Sequence, residues 1–539
     1  VAACSGDDGE GSPATTAAPA TTPTTTPTTA TVAPTTTATI AVSATTPVDP
    51  SRPWWMQGGF APVDREVDAT DLTVRGAIPP ELTGTYVRNG SNPANGDSPH
   101  WFFGDGMAHA VRLEAGRATA YRNRWVRTPL YTGGLGFGQG APGGVNSQSN
   151  VSAFHHGGRL LTSGEVGFPY ELNPATCPPS GRGTTVACCK GFTAHPKVDP
   201  ATGRMHAFGY GFTAPYLEYY IIEPDGTMSH REPIELPRST MIHDFQITET
   251  DAIFWDMPVV FDLEAAIAYI NDPTSRQLPY QWHPEHGSRI GIMPLAGGAE
   301  QIRWYDIDPC YVFHSVNAFR NGNEVVVDVC RLSSVFAETA TWAARARCRW
   351  TVNTATGTVT DDVLTTDNPG DLPGRDPRRV GREHRYGYLT GTRERPRHGG
   401  VRRAHQARLR HRQPRDIWEP GPTRHASEPL FVPGDPNDLA DDAGWLLSFV
   451  HDDATGESVL AVLDATAVSA GPVAEVVIPQ RVPYGFHGTW IPGSDWPVRG
   501  RRATRVRSPP DPRPSRTGTA ASPPGRSAWH GRCCRAGAP

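Results

Sequence analysis

Between about residues 50 and 492 the chain is a succession of short apolar or alternating runs cut by turn-forming residues. DAIFWDMPVVFD, RIGIMPLAGG, NEVVVDVCRL, RWTVNTATGTVTDDVL, GWLLSFVHDD, SVLAVLDA and AEVVIPQ are rich in β-branched and aromatic residues, which suit a pleated, half-buried surface. Pro224-Asp225-Gly226, Asn321-Gly322-Asn323, Ala355-Thr356-Gly357 and Ala454-Thr455-Gly456 supply turn chemistry between them. Helical character is confined to a few stretches such as Leu263 to Ile270. Many strands at close spacing predict a large closed all-β architecture, either a propeller or stacked sandwiches. No sequence repeat decides between the two.

Composition supports this picture. Of 539 residues, 56 are Gly and 53 are Pro, which sit at turns and break helices. A formal net charge of −5 gives no reason to expect nucleic acid as a partner. Nine cysteines are too few for a disulfide scaffold of this length, and Cys188–Cys189 and Cys533–Cys534 lack the CxxC spacing of a zinc knuckle. No run approaches the ~20 apolar residues of a membrane-spanning helix.

The two ends differ from the middle. Residues 12 to about 47 are almost entirely Thr, Ala, Pro and Val, a composition that predicts a disordered spacer. Before it, Val1-Ala2-Ala3-Cys4 resembles the end of a bacterial lipoprotein signal, provided the start site has been placed too late. On that reading residues 1–49 carry a lipid anchor at Cys4 and the protein is extracytoplasmic and membrane-attached. Otherwise they are an unstructured tail and the protein is cytoplasmic. Residues 493–539 predict a disordered or out-of-frame tail. TRERPRHGGVRRAHQARLRHRQPR (392–415) is similarly foreign, and reads as a basic patch, a solvated loop or an out-of-frame stretch. Its abrupt onset and equally abrupt recovery at Asp416 favour the last.

Four of the 19 histidines stand in apolar or aromatic settings: His195 in FTAHPKVDP, His243 in MIHDFQIT, His314 in YVFHSVNAF and His487 in YGFHGTWIP. They are separated by 48, 71 and 173 residues. A site built from such remote positions needs a ring-shaped scaffold, as a propeller provides. Four neutral imidazoles suit a borderline divalent metal and leave an octahedral ion two open positions. Taken singly, each histidine reads as a satisfied core residue, and no local HxH or HExxH pattern joins them.

These motifs, with YVRNGSNP (86–93), HWFFGDGM (100–107), SGEVGFPYEL (163–172), DPRRVGREHRYGY (376–388) and RHASEPLFVP (424–433), resemble the carotenoid cleavage oxygenases, a family with stilbene-cleaving members. The resemblance runs from about Gly58 to Pro492, interrupted at 392–415. It implies a seven-bladed β-propeller over residues 50–492, with loops capping an axial ferrous iron held by His195, His243, His314 and His487. It further implies carboxylates behind three histidines, matching Glu165 for His243 and Glu428 for His487. At the remaining position Asp371 stands where Glu is expected opposite His314. Asp is one methylene shorter, which predicts contact only through water or a backbone shift.

The implied reaction cleaves a conjugated double bond of a carotenoid or apocarotenoid with dioxygen, giving two carbonyl products. No catalytic residue beyond the metal centre is implied. Trp101, Phe102, Phe103, Trp255 and Phe313 are candidates to line a tunnel for the apolar polyene. The rival substrate is a hydroxylated stilbene, whose enzymes resemble one another in a lysine and a tyrosine after the strand matching YRNRWVRT (121–128). Here Tyr131 follows that strand, but the only lysines in the chain are Lys190 and Lys197. A different class of reading is an inactive propeller that serves as a binding module. Peripheral membrane contact is a further expectation for so apolar a substrate.

Overall fold

The computed structural model describes residues 49, 51–133, 147–173, 179–182, 191–272, 278–336, 345–392, 402–408, 414–435, 438 and 440–493. The expectations for the spacer, for Cys4 and its anchor, and for the C-terminal tail fall outside these residues. So do the paired cysteines at 188–189 and 533–534.

Among the described residues there are seven antiparallel sheets of four to six strands, one two-stranded ribbon and one α-helix. Six of the sheets are built mainly by up-and-down meanders that follow one another along the chain. The second begins at Ser152–His156, the third at Lys197–Val198, the fourth at Gln246–Ile247, the fifth at Tyr311–Asn321, the sixth at Asp371–Gly374 and the seventh at Arg424–Ala426. The first is assembled from both ends of the fold: Gly84–Ser91 pairs with Gly106–Glu114 on one side and with Gly488–Pro492 on the other. The seventh is extended in the same way, because Val74–Gly76 pairs with Pro472–Ile478. The leading strands also touch across sheets: Tyr311–Asn321 contacts both Gln246–Ile247 and Asp371–Gly374, and Gly488–Pro492 contacts Ser152–His156. These are the relations of a β-propeller, and the sheet count matches the seven blades expected. Closing the ring satisfies strand edges that would otherwise stand open.

Burial on both faces explains the near-continuous apolar runs of several strands. In Glu324–Leu332 (EVVVDVCRL), apolar side chains on both faces are buried between neighbouring sheets. The largest core cluster includes Phe208, Tyr219, Phe254, Trp255, Tyr311 and Trp350. The expected helix is present as Leu263–Asn271, capped by the Asp262 side chain accepting from Ala265 N at 2.9 Å. It stands in an excursion of the fourth sheet beside the ribbon of Val259–Phe261 and Tyr280–Trp282. Within the foreign-looking segment, Arg402–Arg408 pairs with Tyr386–Thr392 and Pro414–Trp418 in the sixth sheet.

The ring depends on its closing strand. Ile491 is fully buried there against Val87, Ala108 and Leu160. Ile491→Ala is expected to cost about 2–5 kcal/mol, read as a lower midpoint in denaturant unfolding. Val473→Ala, at a 39 % exposed side chain, should stay within roughly 0.5 kcal/mol of the parent.

Candidate metal centre

The four histidines arrive from the leading edges of four sheets. His195 precedes Lys197–Val198, His243 precedes Gln246–Ile247, His314 lies inside Tyr311–Asn321 and His487 precedes Gly488–Pro492. Local backbone features set each one. The strand bearing His314 shifts register on both sides of it, as a bulge does when it re-aims a side chain. His487 sits on a segment fastened by Phe486 N→Asn89 O (3.0 Å), Asn89 N→His487 O (3.1 Å) and His487 N→Val151 O (3.0 Å). That segment lies so close to its neighbour that a Cβ on Gly485 would stand 2.7 Å from the Asn89 carbonyl oxygen.

One ring nitrogen from each histidine falls within a cluster whose members all lie within 4.8 Å of one another. His195 Nε2 is 3.0 Å from His243 Nε2, and His314 Nε2 is 3.1 Å from His487 Nε2. Behind three of the rings stand carboxylates: Glu165 Oε2 is 2.5 Å from His243 Nδ1, Asp371 Oδ1 is 2.7 Å from His314 Nδ1 and Glu428 Oε1 is 2.8 Å from His487 Nδ1. An ionised carboxylate only accepts, so each of those Nδ1 atoms carries the proton and each Nε2 turns a lone pair inward. Lone pairs of His314 and His487 at 3.1 Å repel unless a cation lies between them. Cis ligands of an octahedral ion with bonds of about 2.1 Å are separated by about 3.0 Å, so the cluster fits such a metal.

Each carboxylate has a second anchor. Tyr210 donates its hydroxyl to Glu165 Oε1 (2.7 Å), Arg345 Nη1 donates to Asp371 Oδ2 (2.9 Å), and Gly488 N donates to Glu428 Oε2 (2.8 Å). With Arg345 counted, two net negative charges remain to balance a dication. Burial, then the neighbouring histidines, hold His195 well below the ordinary imidazole range. Burial also lowers His314, partly offset by Asp371. For His243 burial is outweighed by Glu165, and its pKa rises. Burial alone would raise Asp371, but His314 and Arg345 hold its carboxyl well below the usual range.

Of the two routes expected for the shorter Asp371 side chain, water or a backbone shift, the contact with His314 is direct at 2.7 Å and the backbone beside it is irregular. The strand Asp371–Gly374 shifts register, and Leu372 adopts φ +48°, an uncommon left-handed conformation for a branched residue. Leu372 N also donates to Asp371 Oδ1 at 2.9 Å.

A largely apolar cavity opens on the cluster. Its walls include His243, His314 and His487, and Trp101, Phe102, Phe103 and Phe313 as expected. Trp255 is not among them. It belongs to the core, 1 % exposed, and meets Trp350 edge-on at 6.4 Å, because its side of the strand Asp251–Asp256 faces the next sheet. Sequence reasoning missed Tyr210, Phe212, Met241, Tyr280, Phe336 and Phe486. Only Phe486 and Met241 carried a signal, as motif neighbours of His487 and His243. Tyr131 lies outside the cavity wall, bonded to Arg127 (2.9 Å) and packed on Trp125.

Fold and site together define a β-propeller protein with a four-histidine metal centre opening on an aromatic cavity. The chain matches the profile of the retinal pigment epithelial membrane protein (RPE65) family over residues 60–492 and belongs to that family, the carotenoid cleavage oxygenases. It is 35 % identical over 503 residues to a carotenoid cleavage oxygenase of Mycobacterium tuberculosis, covering 81 % of this chain and 97 % of that one. It is 32 % identical over 501 residues to a carotenoid 9,10(9',10')-cleavage dioxygenase of Pisum sativum, covering 81 % and 90 %. The solved lignostilbene dioxygenase of Pseudomonas brassicacearum superposes with a TM-score of 0.74 at 27 % identity, covering 82 % and 99 %.

Asp371→Ala removes the partner of both His314 and Arg345. Apparent metal affinity should fall about 10- to 100-fold, read by chelator competition on the purified protein. An affinity within twofold of the parent would show that the carboxylate does not tune the site.

Proposed function

We propose that the protein is an Fe(II) dioxygenase that cleaves one conjugated double bond of a carotenoid or apocarotenoid into two carbonyl fragments. The observation that carries this is the position of the inward-facing Nε2 cluster at the wall of an aromatic cavity with few polar groups. His195, His243, His314 and His487 are the proposed ligands, with Glu165, Asp371 and Glu428 fixing the tautomers of three of them. Ferrous iron held there would supply the activation of dioxygen for insertion across the double bond.

The remaining work belongs to the chain. Neutral imidazoles leave the ion its full charge, and the carboxylates raise the basicity of the ligating nitrogens. Trp101, Phe102, Phe103, Phe313 and Phe486 give a polyene flat apolar walls, exclude water and hold one bond beside the centre. No side chain is required as an acid or base, since both oxygen atoms end in the products. The stilbene alternative rests on the likeness to the lignostilbene enzyme, and Tyr131 lies away from the cavity.

The exposed apolar residues support contact with a lipid surface, from which such a substrate would be drawn. Leu263 and Ile267 stand four residues apart on one helix face, 64 % and 49 % exposed. Phe212, a cavity residue 38 % exposed, packs on Phe261 at 4.4 Å, one residue before the helix cap.

Purified under reducing conditions, the protein should carry about one iron per chain. Incubated in air with β-carotene, an apocarotenal and a hydroxystilbene, it should yield aldehydes from one of the first two. Failure to retain added Fe(II), or products from the stilbene alone, would overturn the reading. Leu263→Asp with Ile267→Asp should reduce sedimentation with phospholipid vesicles while leaving iron content unchanged. Undiminished sedimentation would exclude this face as the contact.

A further inference from the structure

A second cavity, of about 160 Å³, reaches the histidines from another side. It shares only His314 and His487 with the apolar cavity, and its wall is polar and charged: Ser152, Lys197, Asp244, Ser315, Arg375 and Glu428.

The carboxylates there are committed. Asp244 Oδ1 accepts from Lys197 Nζ (2.6 Å) and Phe245 N (2.8 Å), and its Oδ2 accepts from Ser315 N (2.9 Å) and Ser315 Oγ (2.5 Å). Glu428 spends both oxygens on His487 Nδ1 and Gly488 N. Arg375 is left over. Its Nε is buried without a partner, and the guanidinium makes no hydrogen bond or ion pair among the described residues. Burial lowers its pKa, opposed only at longer range by Asp244 and Glu428.

A guanidinium whose Nε is buried without a partner costs free energy unless something else fills that donor. Its planar fork matches a planar oxyanion. Lys197, beside it, has two N–H donors beyond the one given to Asp244. We propose that this cavity is a binding site for a small planar monovalent oxyanion, of the formate, bicarbonate or nitrate class, held by Arg375 with Lys197 at its side. The site is separate from the polyene cavity, and its existence does not depend on the substrate assigned there.

The test is a thermal-unfolding titration of the full-length protein with sodium formate at constant ionic strength, on iron-loaded and metal-stripped samples. The parent should gain about 2 °C or more in Tm in both forms, and Arg375→Met should gain nothing. Because Arg375 has no hydrogen-bond or ion-pair partner among the described residues, Arg375→Met should be at least as stable as the parent without formate. Three results would overturn the proposal. One is no gain in the parent; another is a gain that survives Arg375→Met or appears only with iron, which marks formate as a metal ligand. The third is a large loss of stability in the variant without formate, which marks Arg375 as structural.

Discussion

Four imidazoles can point their Nε2 lone pairs at one another only if a cation joins them and something else holds their protons. Here three Nδ1–H groups are given to carboxylates, and each of these bonds crosses between sheets. Glu165 follows a strand of the second sheet and meets His243 at the head of the fourth. Asp371 opens the sixth and meets His314 of the fifth. Glu428 belongs to the seventh and meets His487 at the strand that closes the first. The bonds that set the tautomers therefore also fasten the ring of sheets around its centre. Charge balance, tautomer and ring closure are one constraint, which is why Tyr210, Arg345 and the Gly488 amide reinforce the same three carboxylates.

The surroundings of the cluster divide by polarity. On one side aromatic walls keep water out and give a conjugated chain nothing to hydrogen-bond, so orientation comes from shape and from the metal's position. On another side lie two cations and two anions packed into a small volume. The charged cavity and the largely apolar one meet only at His314 and His487. The ion at the centre would feel both environments, since His314 and His487 line both.

The β-rich runs and their turns made the all-β class legible, and even the short helix, because side-chain period and turn chemistry are local properties, while the propeller itself was implied only by the family resemblance. The four histidines were legible as candidates from their apolar flanks and the motif resemblance. The tunnel residues were legible only where they adjoin a motif: Trp101, Phe102 and Phe103 stand in HWFFGDGM, and Phe313 stands beside His314. Trp255, in an equally aromatic run, faces the core instead, since a strand's two faces cannot be told apart when both are buried. Asp371 shows the opposite case. Its length predicted contact only through water or a backbone shift, and only the structure shows the direct bond, with a register shift and a left-handed Leu372 beside it.

By itself, then, the order of residues determined the strands, the turns and which side chains had the right donor chemistry for a divalent metal. Only the tertiary structure decided which of those groups meet. Residues separated by 48 to 173 positions come within hydrogen-bonding distance because the ring closes on Gly488–Pro492, and no local pattern encodes a distance across sheets. The same closure decided that Tyr210, Arg345 and Arg375, unremarkable along the chain, stand at the centre. Their roles arise from burial and from the company they keep, which are properties of packing and not of any one residue.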